Sequence, residues 1–226
     1  MIRLNTNFLI HNALKLKKKH KEQRIHYIIK MTYISLGENC VMARQLAIRN
    51  LRREESLPFD WACSNPLAII DFLFSDITKK EKSKHYKGFA NTQLYWSHHN
   101  EFLTDNVCYE YVSRCLERLN NVLNQEGNII TFMHFTPFSN SSGNLPNHYA
   151  LLRLLKVIRM LYPKIKCSLI SVYMNLNEVE SIKRIQKDEI VYYEFNVPKY
   201  WGVEIDDWSG ERHYWQLWNQ FFEEIQ

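Results

Sequence analysis

From residue 31 onward, short apolar runs alternate with stretches whose apolar positions recur at helical spacing. "TYISL" (32–36), "NIITFMHF" (128–135), "KCSLISVYM" (166–174) and "EIVYYEFNV" (189–197) read as buried strands. "CVMARQLAIRN" (40–50), "NPLAIIDFLFSDITKK" (65–80), "NVCYEYVSRCLERLNNVLNQ" (106–125) and "HYALLRLLKVIRMLYP" (148–163) read as helices. So do "NEVESIKRIQ" (177–186) and "RHYWQLWNQFFEEI" (212–225). Asn65 is suited to cap its helix and Pro66 to occupy the first turn, where a missing N–H costs nothing. A weaker alternation in "LYWSHHNEF" (94–102) is read as a further strand leading into a loop.

Alternation of strand and helix from residue 106 onward predicts an α/β fold. The expected form is a mainly parallel sheet with helices on both faces, a three-layer sandwich. In such sheets, functional groups gather in loops at the carboxyl ends of strands. "GENC", "FTPFSN" and the loop after Val197 are therefore expected along one edge.

Charge changes the picture at the N-terminus. Residues 1–30 hold eight Lys or Arg and one acid, a net of +7. The remaining 21 basic and 23 acidic residues give −2. Residues 1–30 thus read as a basic tail, either disordered or an upstream extension of the reading frame ahead of Met31. Residues 31–226 read as a single domain. Since the basicity belongs to the tail, no nucleic-acid partner is expected for the folded body. No apolar run reaches the roughly 18 residues of a membrane span. "NFLIHNAL" is too short and polar for a signal peptide.

The five cysteines are scattered, with no CxxC spacing. Free thiols in a reducing, cytoplasmic compartment are expected, with no metal and no cofactor. Oligomeric state is not legible.

One thiol stands apart. In "ISLGENCVMARQLA" (34–47), a strand ends, Gly37 turns the chain, and Cys40 stands where a helix begins. The unsatisfied N–H groups and dipole of a helix N-terminus favour a thiolate. Backbone amides near Asn39 would face a developing oxyanion. The alternative is a small buried residue with no chemistry. A cysteine nucleophile needs a base, and His98, His99, His134 and His213 are candidates. Adjacent His98 and His99 would point to opposite faces of a strand, so only one can face the thiol. Asp60, between Phe59 and Trp61, either orients an imidazole or pairs with Arg52 or Arg53.

The combination "ISLGENCVMARQL…LRREESLPFDW" resembles a family described as putative papain-like cysteine peptidases. The matching positions are Ser35, Leu36, Gly37, Cys40, Arg52, Ser56, Pro58, Phe59, Asp60 and Trp61. The resemblance implies Cys40 as nucleophile and a histidine of "SHH" as base, with His99 before His98. It also implies peptide or other acyl substrates. A papain-like α+β fold, with an antiparallel sheet, becomes the alternative architecture. In a parallel sheet, His213 late in the chain would be the competing base. Two functions follow: a thiol hydrolase or acyltransferase, or a non-catalytic binding module in which Cys40 is buried.

Overall fold

The structure, a computed structural model, describes residues 31–38, 40–75, 105–137, 145–198 and 214–226. Of 105–108 it describes the backbone alone. All of these lie in the second of the chain's two units, Met31–Gln226.

Five strands form one sheet: β1 (Met31–Ser35), β2 (Ile129–Thr136), β3 (Lys166–Leu176), β4 (Ser181–Lys187) and β5 (Ile190–Val197). Their spatial order is β1-β2-β3-β5-β4. The β1–β2, β2–β3 and β3–β5 pairs are parallel, and β4 joins β5 antiparallel. Among the described residues, five helices accompany the sheet: α1 (Val41–Ile48), α2 (Pro66–Leu73), α3 (Asp105–Leu123), α4 (His148–Leu161) and α5 (Trp215–Ile225). This is the expected α/β architecture, with the parallel strands that a papain-like α+β fold would lack.

Strand alternation sends successive side chains to opposite faces, and each face has its own core. Ile34, Ile130, Phe132, Leu169, Ile190 and Tyr192 pack beneath α2, α3 and α4. Tyr33, Met133, Phe135, Val172, Tyr193 and Phe195 pack against α1 and α5. Trp218 of α5 is, among the described residues, the largest fully buried side chain, with its ring against Phe135 and Phe195. Trp215, three residues earlier, is 40% exposed, so the two tryptophans divide between core and surface.

Helix starts follow local chemistry. Asn65 Oδ1 accepts from Ala68 N at 2.8 Å, and Pro66 occupies the first turn of α2. One expected helix is corrected. "NEVESIKRIQ" contributes β4, the outer strand of a hairpin with β5, turned at Asp188 with φ 49°. Ile182 and Ile185 have helical spacing, yet on this strand they face opposite ways. Ile182 joins the α1/α5 core, and Ile185 joins the α2–α4 core.

Candidate functional site

The parallel strands β1, β2, β3 and β5 bring their carboxyl ends to one edge. On that edge, the turn after β1 is fixed from two sides. Leu36 N donates to Met133 O at 2.9 Å, and Ser64 Oγ donates to Leu36 O at 3.2 Å. Gly37 has φ +56°, a conformation that costs an L side chain energy. A Cβ there would also lie 2.7 Å from Ala62 O and 3.0 Å from Phe59 O. Two independent constraints therefore require glycine. Asn39 lies outside the described residues.

Cys40 is the N-cap of α1, and its carbonyl accepts from Arg44 N at 3.0 Å. Its side chain does not cap the helix. Cys40 is partly exposed, whereas Cys115 on α3 is fully buried. Burial raises the Cys40 pKa above the ordinary thiol value. Its own backbone N–H and Arg44 pull it down, and the neighbouring Cys63 pushes it up. The resting group at neutral pH is a protonated thiol. Helix-end electrostatics alone does not ionise it.

The segment behind Gly37 is held by Asp60. Asp60 Oδ2 accepts from Leu57 N at 2.8 Å and from Arg52 Nε at 3.2 Å. Burial raises the Asp60 pKa, while Leu57 and Arg52 oppose that shift. Arg52 Nη2 donates to Ser56 Oγ at 2.9 Å, and its guanidinium lies 5.1 Å from the Trp61 ring centre. Phe59 packs edge-on to Phe72 of α2 with ring centres 5.6 Å apart. "LPFDW" with Ala62 after it is thus a knot of anchors presenting the Phe59 and Ala62 carbonyls to Gly37. Among the described residues, the hydrogen-bond partners of the Asp60 carboxyl are Arg52 and Leu57.

Of the expected bases, His98, His99 and His213 lie outside the described residues. His134 is wholly buried on the α2–α4 side of β2. Its Nδ1 meets Ser171 Oγ at 3.2 Å across the β2–β3 register pair. Its Nε2 stands 3.7 Å from Glu38 Oε1, too far for a hydrogen bond. Burial depresses its pKa to about 3, so the ring is neutral.

Sequence reasoning passed over Glu38 and Asn147. Glu38 Oε1 accepts from Asn147 Nδ2 at 2.5 Å, which ties the turn bearing Cys40 to the start of α4. Burial raises the Glu38 pKa, and Thr136 and Asn147 pull it back. Asn147 is the N-cap of α4 at φ 56°, yet its side chain does not cap that helix. Asn is among the residues that tolerate this conformation, and that was the one legible signal. His148, also passed over, is structural: it bridges Tyr192 OH at 2.8 Å and Asp188 Oδ2 at 2.9 Å.

Among the described residues, no group of three or more His, Cys, Asp or Glu side chains is arranged to hold a metal ion. Nor is any helix there long and apolar enough to cross a membrane. The chain matches no curated protein and no solved structure. Residues 31–79, a stretch that includes β1, Gly37, Cys40, the Asp60 turn and α2, match the family model described as putative papain-like cysteine peptidase.

Proposed function

We propose that the protein is a cysteine-dependent hydrolase or acyltransferase with Cys40 as its nucleophile. One observation carries this reading: a partly exposed cysteine at the start of α1, on the carboxyl edge of the sheet, carried by a turn that admits only glycine at position 37. The family match over 31–79 supports it and suggests peptide-like acyl substrates. Because burial keeps the thiol protonated, the reaction begins with proton removal by a base. His99 is the first choice, His98 the second, and His213 the third. His134 is a poor base, since its buried ring is held by Ser171 and its pKa is far below neutrality.

In the acyl-transfer step, Cys40 Sγ attacks the carbonyl carbon as the base takes the thiol proton. The leaving group departs with that proton. Water or a second acceptor then resolves the thioester. Backbone N–H groups at the turn and the first residues of α1 are suited to the oxyanion, because the first N–H groups of a helix have no intrahelical acceptor. Asp60 supports the reaction indirectly, by holding the loop that backs Gly37.

The test is site-resolved iodoacetamide labelling of the wild type beside Cys40→Ala, His98→Ala, His99→Ala and His213→Ala. Cys40 is expected to react about tenfold faster than Cys115 and Cys167 at neutral pH. Loss of the base should remove that advantage. Equal rates for all thiols would overturn the nucleophile and favour a binding module.

A further inference from the structure

A second cysteine lies on the loop that backs the turn carrying the proposed nucleophile. Cys63 lies between Ala62, whose carbonyl rests on Gly37, and Ser64, whose hydroxyl is bonded to Leu36 O. The peptide carrying Cys63 is therefore fastened to the turn that delivers Cys40 three residues later. Both residues are partly exposed, and neither is in a disulfide. Cys63 also opposes ionisation of Cys40. Among the described residues, the other two cysteines do not share this setting: Cys115 is buried on α3, and Cys167 lies on β3 beside Arg159.

We propose that Cys63 is a resolving cysteine: a hydroperoxide oxidises Cys40, and Cys63 then closes a reversible disulfide that protects and silences the nucleophile. The inference rests on the assignment of Cys40 as nucleophile. In the first step, Cys40 Sγ attacks a peroxide oxygen. The O–O bond breaks, Cys40 becomes a sulfenic acid, and water (from hydrogen peroxide) leaves. In the second, Cys63 Sγ attacks Cys40 Sγ, the S–O bond breaks, and the hydroxyl leaves as water with the Cys63 proton. Two thiols lose two electrons, and one peroxide becomes two waters. The disulfide pins the start of α1 to the loop behind Gly37, so no acyl group can reach Cys40. A dithiol reductant restores both thiols. Because the resting Cys40 is protonated, oxidation should quicken as pH rises through the thiol range.

The experiment uses the reduced full-length protein, hydrogen peroxide near stoichiometry, an acid quench and peptide mapping by mass spectrometry. A Cys40–Cys63 cross-linked peptide is expected, reversed by dithiothreitol with recovery of iodoacetamide labelling at Cys40. In Cys63→Ser, Cys40 should instead advance to the sulfinic acid. Cys40 pairing with another cysteine, or reaching the sulfinic acid while Cys63 stays reduced, would overturn the proposal. Iodoacetamide labelling of reduced Cys63→Ser separates the two ideas. Fast labelling of Cys40 without a cross-link in the wild type sinks only the resolving role. Slow labelling sinks the nucleophile and the inference built on it. A thermal melt of Cys63→Ser beside the wild type confirms that the comparison is between folded proteins.

Discussion

Replacing Gly37 by alanine tests the turn on which the Cys40 site depends, and Gly127 supplies the control. Both glycines have positive φ, +56° and +85°. Only Gly37 is crowded: its Cβ would sit 2.7 Å from Ala62 O and 3.0 Å from Phe59 O, whereas a Cβ on Gly127 meets nothing within 4 Å. An L residue at positive φ costs about 1–2 kcal/mol. Loss of unfolded-state freedom returns about 0.4–1 kcal/mol. Gly127→Ala should therefore destabilise by roughly 0–1.5 kcal/mol. Gly37→Ala carries the same backbone term plus an overpacking term of about 1–3 kcal/mol. The obstacle is backbone held by the Asp60 knot, not the end of a flexible side chain, so relief requires moving residues 59–62. The excess over the control should be about 1–3 kcal/mol, a Tm difference of roughly 2–12 °C for a domain of this size. Urea titration gives the free energies, and an unchanged m value checks that the native and unfolded states remain comparable. Cys40 labelling on the same samples reports whether the turn has shifted. Equal destabilisation of the two variants, within about 0.5 kcal/mol, would refute the close approach and the argument that this turn is built for glycine.

His134 should make the fold acid-sensitive. Its folded pKa of about 3 lies below the unfolded value, so the unfolded chain binds the extra proton, and stability falls as pH drops below about 6.5. Between pH 6 and 5 the loss should approach about 1.4 kcal/mol per unit, and the difference in urea midpoint between wild type and His134→Gln isolates it from the opposite contribution of Glu38. If the two lose stability in parallel, the buried neutral ring is wrong. At Asn147, glycine keeps the positive φ and removes only the Glu38 contact, while alanine loses both, so Asn147→Ala should melt below Asn147→Gly by about 1 kcal/mol. Tyr192→Phe deprives the buried His148 Nδ1 of its 2.8 Å partner and should cost about 1–3 kcal/mol in chemical denaturation; a neutral result would mean that another group satisfies the imidazole.

Periodicity made the buried strands and longer helices legible because burial imposes it. β2, β3 and β5 are covered on both faces and so appear as continuous apolar runs. β4 failed for the same physical reason in reverse. It is an edge strand with mostly exposed residues, so two isoleucines three apart were its main pattern, and that pattern equally describes a helix face. At the site, Gly37 and Cys40 stood out as a strand–turn–helix signal. In the knot around Asp60, the pairing with Arg52 was one of the partners the sequence offered, whereas the Leu57 N–H contact was not legible, since it depends on loop geometry that has no period. Glu38 and Asn147 are 109 residues apart in sequence, and it is the fold, through the parallel β1–β2 pairing and the packing of α4, that brings their segments together.

The raised Cys40 pKa alters what the helix N-terminus can be taken to mean. On sequence alone, the start of α1 argued for a thiolate. In the folded chain, desolvation outweighs the favourable backbone N–H and Arg44. This ordering makes the thiol quiet at rest and makes its reactivity conditional on a base that arrives beside it. A base within hydrogen-bond reach converts the desolvation from an obstacle into a benefit. The thiolate and imidazolium attract each other more strongly in a medium of low dielectric than in water, and the ion pair forms only when both are in place. Reactivity at Cys40 should therefore depend more steeply on its histidine than an exposed, already ionised thiol would. Arg44→Ala should slow Cys40 labelling only modestly, because Arg44 lowers the thiol pKa less than the Cys40 backbone N–H does, whereas loss of the true base should abolish the rate advantage. The reverse order, with Arg44 dominant and every histidine dispensable, would mean that Cys40 is ionised by charge alone and that no proton-transfer partner is needed.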